Sequence, residues 1–75
     1  MKVIILGACG GIGRYVATSV SLFQEINHLG IADLNLKDAE IFASKLGPHV
    51  KGLGVDINDT ENLLSILLNY DIVLN

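Results

Sequence analysis

This sequence has no tryptophan, one proline and one cysteine in 75 residues, and only 5 lysines and arginines against 8 aspartates and glutamates. A single cysteine excludes a disulfide scaffold and a cysteine-based zinc site. With so few cations, and a formal net charge of −3, there is no basic stripe to hold a phosphate backbone, so a nucleic-acid partner is not expected. The longest early run without charge, Val3 to Gly13, contains four glycines and is too short to span a bilayer. No membrane association is therefore expected. Lys2 is followed by a brief apolar run ending at Gly7, which is not the pattern of a secretory signal. A cytoplasmic protein with a reduced thiol is the expectation.

Apolar residues, by contrast, are plentiful. They make up 51% of the chain, and the mean hydropathy is +0.52. That composition excludes intrinsic disorder. It also suits a module whose apolar surface meets neighbours.

Along the chain, two kinds of hydrophobic pattern alternate. Val3-Ile4-Ile5-Leu6 reads as a buried strand. Ile12, Val16, Val20 and Phe23 recur at helical spacing, which predicts a helix from Gly11 to Glu25. A second strand is expected over His28–Asp33. The next helix begins behind an Asn35 cap and is stopped by Gly47-Pro48. Val50–Asp56 reads as a third strand. Asn58 with Glu61 resembles a capping box for a third helix over Asp59–Tyr70, apolar on nearly every side. A fourth strand covers 71–75. Strands alternating with helices imply a parallel sheet with right-handed crossovers. The expected fold is α/β and Rossmann-type, with strand order 3-2-1-4, forming one partial doubly wound domain over residues 1–75.

The chemistry-bearing motif joins the first strand to the first helix. Gly7, Gly10 and Gly13 have the spacing G-x-x-G-x-x-G, with Gly11 in addition. In such a loop, the first glycine lets the chain turn out of the strand. The second lets a pyrophosphate approach the backbone, and the third allows close packing. The amides opening the helix then form an anion site. Gly7, Cys9, Gly10, Gly11, Ile12 and Gly13 are the expected phosphate-side residues. Asp33 lies twenty positions after Gly13, at the end of the second strand, where a carboxylate can accept both ribose hydroxyls. It would repel a 2′-phosphate, and Leu34 and Asn35 follow it rather than arginine. NAD is therefore expected over NADP. Asp56 and Ile57 are candidates for the adenine edge, although Asp56 could equally cap the next helix. Asn75 is placed near the crevice where open α/β sheets bind ligands. Cys9 reads mainly as a small loop residue, while Arg14 reads equally as a phosphate contact and as a solvated helix residue. His28 and His49 have no ligand-like spacing. No Gly-Lys-Ser/Thr ending and no Tyr-x-x-x-Lys pair is present.

These residues together resemble the N-terminal NAD(P)-binding domain of the saccharopine dehydrogenase-like family. The resemblance runs from Val-Ile-Ile-Leu-Gly through Gly10-Gly11-Ile12-Gly13-Arg14-Tyr15-Val16-Ala17 and Ile31-Ala32-Asp33-Leu34-Asn35-Leu36-Lys37-Asp38-Ala39. It continues with Val55-Asp56, Leu63-Leu64 and Asp71 to Asn75. Cys9 stands where many members carry a glycine, and Leu34 where arginine is common. The resemblance implies an oxidoreductase that moves hydride between NAD(P) and the C–N bond of an amino acid such as saccharopine or lysine. It also implies substrate and catalytic residues in a further domain. A homo-oligomer is expected from the apolar third helix. The alternatives are a regulatory nucleotide-sensing domain of the potassium-transport type and a short-chain or epimerase-type enzyme, which shares the loop spacing.

Overall fold

A computed structural model describes residues 1–75. Four strands form one parallel sheet in the order β3-β2-β1-β4. The strands are β1 (Lys2–Leu6), β2 (His28–Asp33), β3 (Val50–Gly54) and β4 (Ile72–Leu74); the helices are α1 (Gly11–Val20), α2 (Leu36–Leu46) and α3 (Thr60–Leu67). Strand order and element sequence are those expected from the alternating pattern. No helix is long and apolar enough to cross a membrane.

Strand residues alternate between two faces. Val3, Ile5, Leu29 and Ile31 pack with Ala17 of α1 and with Ala39, Phe42 and Ala43 of α2. Ile4, Ala32 and Val55 form a smaller cluster under Leu63, Ile66 and Leu67 of α3 and under Tyr70. The two glycines of β3 serve the first face. A side chain at Gly52 would meet the α2 backbone at Ala39 and Glu40 (2.6 Å), and one at Gly54 would meet Leu36 (2.9 Å). Their missing side chains let α2 lie directly on the sheet.

Several element boundaries differ from expectation. Helix α1 stops at Val20, with Ser21 at its C-cap donating its amide to Ala17. The Ser21 hydroxyl donates to the Thr18 carbonyl, which satisfies an end that periodicity alone extends further. Ile12 and Phe23, expected on the buried face of that helix, are 84% and 56% exposed. Ala17 is its one fully buried residue. Helix α3 is capped by Asp59, whose Oδ1 accepts the Asn62 amide, and not by Asn58 with Glu61. It ends at Leu67, and no residue on it is fully buried.

Candidate functional site: the carboxyl edge of the sheet

The loop after β1 needs glycine at its first position. Gly7 has φ of +70°, a left-handed conformation that side-chain-bearing residues rarely adopt. The Gly7 and Ala8 amides both donate to the Ala32 carbonyl, at 2.9 and 3.1 Å, pinning the start of the loop to β2. Gly13 is required for a different reason. A Cβ there would collide with the Gly7 carbonyl oxygen and approach the Ala8 Cα to 2.9 Å. The third glycine therefore folds the loop back on itself. Gly10 and Gly11 are open: a Cβ at Gly10 would meet only the Gly7 oxygen at 3.5 Å, and one at Gly11 would meet nothing.

Gly10 is the N-cap of α1 and offers no side chain to the helix. The Gly10 amide bonds back to the Gly7 carbonyl at 3.2 Å, and the Arg14 amide to the Gly10 carbonyl at 2.8 Å. Between them, the amides of Gly11, Ile12 and Gly13 donate to no protein atom. Helices leave their first amides unpaired, and a capping side chain or a ligand normally takes them. Here no capping side chain does, and Gly10, Gly11 and Ile12 are exposed. Bare amides at the positive end of a helix are chemically a receptor for an oxyanion.

Asp33, at the end of β2, is tied to this same loop. Its Oδ2 accepts the Cys9 amide at 3.0 Å and its Oδ1 accepts the Leu34 amide at 2.8 Å. A carboxylate has about four acceptor positions, so about two remain for a ligand. Asp33 thus both fixes the loop and retains capacity for hydroxyl donors. Sequence spacing revealed the residue but not this second bond, which depends on how the loop folds over the strand end.

Burial pushes the Cys9 thiol above its ordinary value of 9.0, and the Asp33 carboxylate raises it further. The thiol is therefore held protonated at neutral pH, as suits a small space-filling residue. Arg14 is held at two points: Nε donates to the Cys9 carbonyl at 3.1 Å, and the guanidinium lies 4.5 Å from the centre of the Phe42 ring. It is neither free in solvent nor aimed at the bare amides by any bond of its own.

A hollow of about 270 Å³ opens beside Asp33, lined by Gly7, Leu34, Val55, Asp56 and Ile57 among others. Asp56 Oδ1 accepts the Asn58 amide at 2.9 Å, so it shapes the loop before α3 while also bordering the hollow. Ile57 is exposed on the rim. A second hollow of about 300 Å³ lies across the glycine loop, between Ile12, Val16, Leu74 and Asn75. The loop residues, Asp33, Asp56, Ile57 and Asn75 are thus gathered along one edge, at the carboxyl ends of β1, β2, β3 and β4. His28 and His49 lie at the opposite edge.

Four parallel strands in the order 3-2-1-4, with bare helix amides and a strand-end acid on the carboxyl edge, define a dinucleotide-binding fold of the doubly wound class. An adenosine diphosphate fits this donor set: amides for the pyrophosphate, a carboxylate for the ribose and an apolar-walled hollow beside it. Residues 3–75 match the saccharopine dehydrogenase NADP binding domain, and the chain belongs to that family. No curated protein matches it.

Solved structures show the same fold. A short chain dehydrogenase/reductase family protein superposes with a TM-score of 0.81 at 19% identity, over 100% of this chain and 32% of its own. The 3-hydroxyacyl-CoA dehydrogenase type-2 from Mycobacterium avium gives a TM-score of 0.67 at 23% identity, over 92% of this chain and 26% of its own. Sorbitol-6-phosphate 2-dehydrogenase SrlD from Erwinia amylovora gives 0.73 at 19% identity, over 89% of this chain and 27% of its own. This chain spans about a third or less of the length of these proteins.

Proposed function

We propose that this chain is the cofactor-holding part of an oxidoreductase of the saccharopine dehydrogenase type. In this reading the parent enzyme acts on the C–N bond of an amino acid such as saccharopine or lysine, whose binding residues lie in a further domain. It works in the cytoplasm as a homo-oligomer, the exposed Leu64 of α3 and Leu68 just after it offering apolar surface for association. The observation that carries the reading is the trio of unpaired amides at Gly11, Ile12 and Gly13, with Asp33 fastened to the same loop.

The amides receive the pyrophosphate, and the open flank at Gly10 admits it. Asp33 accepts the ribose hydroxyls. The hollow between Leu34, Asp56 and Ile57 takes the adenine. The nicotinamide, when bound, supplies the hydride chemistry; the chain binds and orients it. The family is named for NADP. In this member Asp33, followed by Leu34 rather than a cation, favours a free 2′-hydroxyl, so NAD is the proposed cofactor. Like charges facing each other cost several kcal/mol, so titration calorimetry should show NADH binding at least ~10-fold more tightly than NADPH. Equal affinities, or a preference for NADPH, would reject that role for Asp33.

A further inference from the structure

The amino edge of the sheet carries a second concentration of charge that the dinucleotide reading does not use. In the parallel register Lys2 of β1 lies opposite His28 of β2, and Gly30 of β2 opposite Lys51 of β3. Alternation along a strand therefore puts Lys2, His28 and Lys51 on one face, the face covered by α3. Gly30 leaves a gap among them, and the Tyr70 ring fills it. A Cβ at Gly30 would lie 2.5 Å from the Tyr70 hydroxyl. That hydroxyl is 3.1 Å from His28 Nε2. The result is a recess of about 220 Å³, with Lys2, His28, Lys51, Asn69 and Tyr70 as its polar lining and Leu53 and Ile66 as its apolar wall.

Two of the chain's five lysines and arginines thus meet at one recess, in a protein of net charge −3. Lys2 and Lys51 act on His28 as cations, and His49 acts in the same direction. Desolvation first, and these cations second, hold His28 below its ordinary value of 6.5. Two acids are nearby. Asp71 Oδ2 accepts the Lys2 amide at 2.8 Å and so faces the β1 backbone. Glu40 of α2 borders a separate hollow with His28, His49 and Lys51. Neither lines the recess.

We propose that this recess is a second ligand site, taking a small free dianionic oxyanion of the inorganic phosphate or sulfate kind. The ligand's charge answers the two ammonium groups, and the Asn69 amide and Tyr70 hydroxyl donate to its oxygens. His28 makes the site responsive to pH. Neutral His28 can accept the Tyr70 O–H. Protonated His28 donates to the Tyr70 oxygen instead, which frees the Tyr70 proton for the anion and adds a positive charge. By linkage, binding the anion raises the His28 pKa, and affinity rises as pH falls.

The test is an NMR titration of the protein with sodium sulfate at ~pH 6 and ~pH 8, the span in which histidine changes charge. Saturable shifts should appear at His28, Asn69 and Tyr70. Binding should be roughly threefold tighter at the lower pH, the part of the gain from an upward His28 shift of about one unit that is reached while a group held below 6.5 is only partly protonated. The double variant Lys2→Gln/Lys51→Gln, altered at two exposed side chains, should lose these shifts. Linear, unsaturated drift at these residues would overturn the proposal, as would the same saturation in the double variant. Response confined to the Gly11–Gly13 amides would also overturn it. Those amides report on the dinucleotide site, so failure at either end is read separately.

Discussion

At the carboxyl edge of the sheet, the polar groups exposed for use belong to the backbone: three amides at the head of α1, left without acceptors. At the amino edge, side chains stitch the elements together. The His49 ring nitrogen lies 2.9 Å from the Ser21 carbonyl at the end of α1, His28 meets Tyr70, and the terminal ammonium donates to Glu25 and Asn27. One sheet therefore has an edge kept open by absent side chains and an edge closed by present ones. Removing atoms should harm the amino edge, and adding atoms should harm the carboxyl edge.

That contrast is sharpest inside the glycine loop. Gly13→Val would drive a side chain into the Gly7 and Ala8 backbone. It should cost roughly 3 kcal/mol or more in denaturant unfolding and remove dinucleotide binding with it. Gly10→Val meets only the Gly7 oxygen at an ordinary 3.5 Å. With φ of −73° and ψ of 168°, its backbone already suits a branched residue. Circular dichroism and unfolding should therefore change by less than about 1 kcal/mol. Affinity for NADH should still fall by ~100-fold or more, which is about 2.7 kcal/mol. If Gly10→Val binds normally, the openness of the loop is structural only.

Asp33→Asn removes the charge and leaves one of the Cys9 and Leu34 amides without its acceptor. NADH should weaken by ~10-fold, the usual loss for a charge-assisted bond, and the preference over NADPH should narrow. At the amino edge, Tyr70→Phe deletes the bond to His28. It should cost about 1 kcal/mol of stability and leave NADH affinity unchanged. A fall in NADH affinity would break the separation of the two edges.

The smallest effect is a pH dependence. His28 titrates below its ordinary 6.5 in the folded protein, so the unfolded chain binds more protons between the two values. Stability should therefore rise with pH through the window below 6.5 and level off above it. His28→Gln should flatten that rise, and unfolding midpoints measured across the window test it.

The strand order and the placement of Gly7, Gly13 and Asp33 were legible in the sequence, because a glycine loop between strand and helix admits few folds. The ends of α1 and α3 were not. Ile12 and Phe23 fit helical spacing, yet both sit in water. Periodicity cannot see that Ser21 closes α1, or that Asp59 rather than Asn58 reaches the Asn62 amide. The bonds from Cys9 to Asp33 and from His28 to Tyr70 span 24 and 42 residues. Only tertiary structure brings such pairs together. Glycine inside a strand ordinarily weakens it, but Gly52 and Gly54 are where α2 touches the sheet.

The most direct test follows the backbone amides of Gly11, Ile12 and Gly13 by NMR while NADH is added. Saturating shifts at these amides, matched by a shift at Asp33, are expected. Saturable binding of NADH that leaves all three amides unmoved would contradict the diphosphate site.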